Sequence, residues 1–258
     1  MDERVMSLRG MEPRNAGRGS YLAILEAAAG LFGQFPVKDT TLRDILTIAG
    51  VSNQTLYNYF PGGRDDVVIT LYVRYQRTMV EEFNNHIFLL NLNEYQDHLA
   101  IINKVSACLG RSVFGLLRES YPIQSALFEY LRDQHLLAIA THSDELEEAL
   151  ARVIAHHLGD RCAQMELPRL ARLSVRIVRE IGITALENKA FSIDQLESNA
   201  RLLVRTLLYT ELKGHGEDSG DYGFRYQEPA SSAIVGAPIS PMKRRSILDR
   251  ILKRKGRA

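Results

Sequence analysis

What the chain has little of narrows its chemistry first. Its 258 residues include only two cysteines, Cys108 and Cys162, far apart and set in apolar helical patterns. Two thiols supply neither a disulfide framework nor a metal cluster, so both are expected to be core residues in a reducing cytoplasm. No stretch approaches the roughly 18 apolar residues that a membrane-spanning helix needs. The start, MDERVMSLRGMEPRNAGRG, alternates charges and has no apolar segment of the kind a signal peptide requires. A soluble cytoplasmic protein without a membrane partner is expected. Strand-like alternation and internal repeats are also missing. No Ser–His–Asp spacing, phosphate loop or carboxylate pair in an apolar setting stands out, so neither enzymatic activity nor a cofactor is expected. His135, His142, His156 and His157 do not form a metal set. Adjacent histidines point about 100° apart on a helix, and no carboxylate or cysteine is spaced to join them.

What is present is a core-forming composition. Apolar residues make up 45% of the chain and charged residues 24%, which excludes a wholly disordered protein. The net charge of +1 is unevenly distributed. Residues 243–258, KRRSILDRILKRKGRA, hold eight basic groups and one acidic group, so the rest of the chain is net negative. Attraction to an anionic partner must therefore be local.

Apolar periodicity predicts an all-α protein. Residues 1–18 read as a flexible arm punctuated by Gly10, Pro13 and Gly17. From Ser20 the residues Leu22, Leu25, Ala28, Ala29 and Phe32 mark one helical face, which ends at GQFPVKD. Thr40 or Thr41 caps a second helix with Asp44 in its first turn, burying Leu42, Ile45 and Ala49. Gly50 ends it, and Ser52 caps a third helix of about seven residues that closes at Phe60-Pro61-Gly62-Gly63. A long helix follows from about residue 64 to 86, striped by Val67, Val68, Leu71, Tyr75, Met79 and Phe83. Further helices are expected near 94–118, 122–137, 143–159, 168–188 and 193–212, with Pro168 in a first turn and a capping box at Ser192–Gln195. Residues 213–258 read as a Gly/Ser/Pro-rich linker and a basic tail. That tail can be a solvated end, a source of phosphate contacts, or a contact for another anionic surface.

The stretch GVSNQTLYNYF, residues 50–60, carries the most chemistry. Two short helices joined through AGVS form a helix-turn-helix, in which Gly50 permits a positive φ and Val51 fills the angle. Leu56 and Phe60 face inward. That leaves Asn53, Gln54, Thr55, Asn58 and Tyr59 on or near the outer surface, with Tyr57 at the boundary. Asn and Gln amides match adenine's donor–acceptor edge, and a threonine methyl can touch thymine's methyl. A tyrosine hydroxyl can reach a phosphate, so an uncharged helix can read base edges while other groups hold the backbone. Thr41 is expected both to cap and to contact phosphate, and Lys38 and Arg43 can approach the backbone.

This order of elements resembles the DNA-binding domain of the TetR/AcrR family of transcriptional regulators. The matching positions are Ala28 and Phe32, then Thr41, Ile45, Ala49, Gly50 and Val51, then Ser52, Thr55, Leu56, Tyr57 and Phe60. The resemblance implies a helix-turn-helix domain over residues 19–64 and an effector-binding and dimerisation domain over 65–212. It also puts Arg64 in the place of a phosphate-binding lysine, after a turn one residue longer than usual. Residues 1–66 carry seven basic and eight acidic groups, so strong non-specific binding is not expected of this part alone.

Two copies on a palindromic duplex would double the discrimination of one reading helix. The last two core helices are the natural dimer elements, with Leu170, Leu173, Ile177 and Ile181 on one and Leu196, Leu203 and Leu207 on the other. The resemblance implies that they form a four-helix bundle with their mates. It further implies an apolar effector pocket among the middle helices. Phe83, Ile87, Leu99, Ile102, Cys108, Val113, Phe114, Leu117, Phe128 and Leu131 are the candidates, none of them distinguishable from ordinary core. The expectation is a homodimeric regulator of transcription, a repressor released by a small, largely apolar effector. The alternative is an all-α effector-binding or scaffold protein whose DNA-binding domain is degenerate.

Overall fold

The computed structural model describes residues 18–95, 97–137, 145–158, 166–188 and 190–214. Residues 1–17 of the expected amino-terminal arm and the basic tail, together with Cys162 and His142, lie outside these residues, whereas Arg18 already belongs to the first helix. All regular structure among the described residues is helical. The α-helices are α1 (Arg18–Phe32), α2 (Leu42–Ala49), α3 (Asn53–Tyr59), α4 (Arg64–Leu89), α5 (His98–Asp133), α6 (Glu145–Leu158), α7 (Leu167–Glu187) and α8 (Ile193–Gly214). Short 3-10 turns occupy Val37–Asp39 and Leu92–Glu94.

The first three helices form because their ends are fixed locally. Thr41 caps α2 in a complete capping box, accepting from the Asp44 N–H while its own N–H donates to the Asp44 carboxylate. Gly50 closes α2 at φ 66°, ψ 30°, a left-handed conformation that glycine adopts without strain. Ser52 then caps α3 by accepting from the Thr55 N–H at 3.1 Å. The small run Ala27–Ala29 is buried where α1 packs against α2, α3, α4 and α5.

The entry to α4 depends on a glycine pair. Gly62 N–H donates to the Asp66 carboxylate, and Gly63 sits at φ 63°, ψ −126°. A side chain would be strained there. The stripe expected on α4 is buried apart from Met79, which is half-buried. Asp66, Thr70, Arg74, Gln76 and Thr78 are buried as well. The helix is enclosed rather than one-sided.

One correction concerns α5. The separate helices expected at 94–118 and 122–137 are one run with a kink, where Ser120 takes φ −131°, ψ 23°. Pro122 lacks an N–H and crowds the preceding turn, so regular pairing fails there. Side chains repair the break. The Leu116 carbonyl accepts from Ser120 Oγ at 2.6 Å and from Gln124 Nε2 at 3.1 Å. Gln124 also donates to Ser120 Oγ at 2.7 Å. Helicity therefore continues through a bend that is braced by side chains on the Leu116 carbonyl.

That kink divides α5 between two cores. Leu116, Ile123, Leu127 and Leu131 join α1, α2, α3 and the first half of α4. Ile101, Ile102, Val105, Cys108, Leu109, Val113, Phe114 and Leu117 join Phe83, α6, α7 and α8. The packing consequently does not divide at residue 64, since α4 as far as Tyr75 belongs to the first core. α5 is long and apolar enough to cross a membrane, and 67% of its most apolar stretch is buried inside the protein. Its hydrophobicity is explained by the two cores. Of the pocket candidates, Leu131 falls in the first core and Leu99 is exposed. Burial raises the Cys108 thiol pKa to about 11, as suits a core residue.

α8 is tied to α5 by charge and close approach. Glu197 is buried between Arg118, which also pairs with Asp194 at 2.9 Å, and Arg201. At Gly110 a Cβ would lie 2.6 Å from Arg201 Cγ, so the helices pack closely because that position has no side chain. The stripes expected on α7 and α8 require correction. Leu170 and Leu196 are taken up by the chain's own second core. Leu173 and Leu203 are exposed, and Ile177, Ile181 and Leu207 are half-buried.

Gln124→Met should lower stability by about 1–3 kcal/mol in urea unfolding, because it removes the amide that supports the kink. Gly63→Ala should cost about 1–3 kcal/mol in the same measurement through backbone strain.

Candidate nucleic-acid interface

α3 is anchored from beneath and open on top. Leu56 and Phe60 are fully buried, and Phe60 stacks on Tyr21 with ring centroids 5.3 Å apart. One helical turn has 3.6 residues, so burying positions 56 and 60 turns 54, 57 and 58 outward. Asn53, Gln54 and Asn58 are exposed, and Tyr57 is 47% exposed. Tyr57 lies close to Gly63, where a Cβ would meet Leu42 Cδ1 at 3.4 Å and Tyr57 Cε1 at 3.6 Å. Its ring is thus supported beside the turn that begins α4. The outer face carries amides and a phenol with no formal charge.

The other expected contacts divide by how their polar atoms are used. Ser52 is exposed, but its hydroxyl caps α3 and lies 2.9 Å from the Thr55 hydroxyl. Thr55 is half-buried. Tyr59 is half-buried too, with its ring edge-on to Tyr21 at 5.8 Å, so it supports α3 more than it projects from it. Arg43 and Lys38 are exposed. Thr41 departs from expectation. Its hydroxyl donates to Asp44 at 2.6 Å and its N–H to the same oxygen at 3.0 Å. Both of its donors are therefore engaged, beside a carboxylate that would repel phosphate. The Thr41 hydroxyl, followed by its N–H, lowers the Asp44 pKa and keeps that carboxylate charged.

Arg64 is the larger correction. It was expected to face a phosphate, yet Nη1 donates to the carbonyls of Thr40 at 2.9 Å, Lys38 at 3.2 Å and Val37 at 3.3 Å. The guanidinium also lies 5.7 Å from the centroid of the Tyr130 ring. The neighbouring Asp65 accepts from the Tyr130 hydroxyl at 2.7 Å. Sequence reading missed Tyr130 because it stands 65 residues from Asp65 with no local motif to mark it. Asp66 had a faint signal, a carboxylate four residues after Gly62 at a helix start.

The amino-terminal segment also matches a known family at the level of sequence. Residues 24–69 match the sequence model of the bacterial regulatory proteins of the tetR family. No curated protein matches the chain. Among solved structures, the TetR family repressor AlkX from Dietzia sp. strain DQ12-45-1b is 23% identical, with 78% of this chain and 99% of that one covered and a TM-score of 0.48. The TetR family regulator PfmR from Thermus thermophilus is 17% identical, covering 72% and 97%, with a TM-score of 0.46. A TetR regulator from a Rhodococcus species is 19% identical, covering 74% and 96%, with a TM-score of 0.45. Residues 24–69, which hold the helix-turn-helix, thus carry the sequence pattern of the bacterial regulatory proteins of the tetR family.

Proposed function

We propose that the chain works as a homodimeric, sequence-specific repressor in the cytoplasm, released from a palindromic operator by a small, largely apolar effector. The observation that carries the reading is the uncharged outer face of α3, with Gln54 and Asn58 exposed above a buried Leu56 and Phe60. Amides in that position pair with adenine in the major groove, each good bidentate pair contributing roughly 1–3 kcal/mol of discrimination. Tyr57 serves the backbone, since a phenol can donate to any phosphate regardless of sequence.

Dimerisation is supported by the exposed apolar residues Leu173 on α7 and Leu202 and Leu203 on α8, two helices that pack on each other. Ile177, Ile181 and Leu207, half-buried and packed against the second core, would border this face. A twofold pair would set the two copies of α3 about 34–36 Å apart, one turn of duplex. Effector control then follows by population shift. A ligand favouring a different spacing of the reading helices lowers operator affinity by its difference in binding free energy between the two states. α4 is suited to carry the change because it contributes to both cores.

The competing reading, an effector-binding or scaffold protein with a degenerate DNA domain, draws on the near-neutral charge of residues 1–66 and on the inward turn of Arg64. A salt titration on a duplex selected from a random-sequence pool separates the two. The repressor should prefer that duplex and show a negative salt slope, whereas no preference over random duplex at low salt would favour the scaffold.

Within the repressor reading, Gln54→Ala should change the base preference recovered from such a pool. Tyr57→Phe should weaken binding to all duplexes by a similar factor. Operator affinity untouched by either change would reject these contact assignments. Replacing Leu173 and Leu203 together by glutamate should give a monomer by sedimentation velocity, and a persistent dimer would place the interface elsewhere.

A further inference from the structure

We propose that Arg64 is a positioning residue for DNA reading: it clamps the segment that launches α2 and, through Tyr130, fixes the reading domain to the far end of α5. This rests on the DNA-binding reading given above. It goes beyond that reading by giving the cation at the start of α4 an internal task.

The geometry is specific. Val37 and Lys38 belong to the 3-10 turn that precedes Thr41, the N-cap of α2, and Thr40 closes that turn; all three carbonyls accept from Arg64 Nη1 at 2.9–3.3 Å. Carbonyls converging at the end of a turn make a negative pole, and a guanidinium there is favoured by charge as well as by hydrogen bonding. Reaching out to a phosphate with Nη1 would require those bonds to break. Beyond Arg64, the Tyr130 ring lies 5.7 Å from the guanidinium and its hydroxyl donates to Asp65. Two consecutive residues at the start of α4 therefore hold one aromatic side chain on α5. A lysine would offer one compact ammonium in place of the guanidinium's spread of donors, and so would span the carbonyls and the ring less well.

Packing around the clamp points the same way. Ile123 of α5 reaches the end of α1, where a Cβ on Gly33 would lie 3.1 Å from Ile123 Cγ1. The Val37–Asp39 turn also packs against α5. The start of α2 is consequently set by contacts from α4 and α5, and α3 follows α2 through the short turn at Gly50. A disturbance of the clamp would shift the reading helix without removing any group that touches DNA.

The test uses the full chain and a duplex that the wild-type protein selects from a random-sequence pool. Affinity is measured across a salt series for wild type, Arg64→Gln and Tyr130→Leu, and backbone amide exchange is measured without DNA. Both variants should bind roughly tenfold more weakly, comparable to losing one charge-assisted hydrogen bond, with the salt slope of wild type. Both should exchange faster between residues 40 and 46. If Arg64→Gln instead loses about 0.9 of slope per protomer while Tyr130→Leu binds like wild type, Arg64 is a phosphate ligand and the proposal is overturned. If Arg64→Gln does not fold, Tyr130→Leu decides alone, since it changes no charge. Should the wild type select no duplex at all, the repressor reading fails. Exchange still judges the clamp in that case, and unchanged protection over residues 40–46 in both variants overturns it.

Discussion

From Asp66 to Gln76 every residue of α4 except Tyr72 is buried, and this enclosure governs the arrangement of the other helices. A helix buried on most of its circumference needs neighbours on all sides. α1 and α5 supply them toward the amino end, and the body helices take over beyond Phe83. Enclosure also puts polar groups out of reach of water, where each needs a partner. Asp66 accepts from the Gly62 N–H, and the Thr78 hydroxyl donates to the Arg74 carbonyl. The same helix thus joins the reading domain to the body while holding the turn on which Tyr57 rests.

The reading domain was legible because its determinants are local. Thr41 with Asp44, Gly50, and Ser52 with Thr55 act within a few residues of each other, and the apolar spacing of Leu56 and Phe60 fixes which face of α3 is outward. Boundaries in the body were legible where one residue sets them, as with Pro168 at the start of α7. The first core was less so. Its reach into α5 depends on Ile123, Leu127 and Leu131, which look like any other apolar stripe.

Two misreadings share one cause. Separate helices were expected on either side of residues 119–121, but the bend there is braced by the side chains of Ser120 and Gln124, whose part in it no local pattern announces. Arg64 suggested a surface cation, but its acceptors lie 24–27 residues away. Bonds made by polar side chains are invisible to apolar periodicity, whether they span four residues or 27. The stripes on α7 and α8 were readable as apolar, but their division between internal core and open face was not. Leu170 and Leu173 are three residues apart on α7, one buried and the other 38% exposed.

The bend in α5 also has a mechanical side. Tyr130 stands ten residues beyond Ser120, a lever of about 15 Å at the rise of an α-helix. A tilt of about 4° at Ser120 would carry the backbone of Tyr130 through about 1 Å, on the scale that separates a good hydrogen bond from a lost one. The angular tolerance of the joint is accordingly narrow, and it is set by one amide and one hydroxyl bracing a single carbonyl.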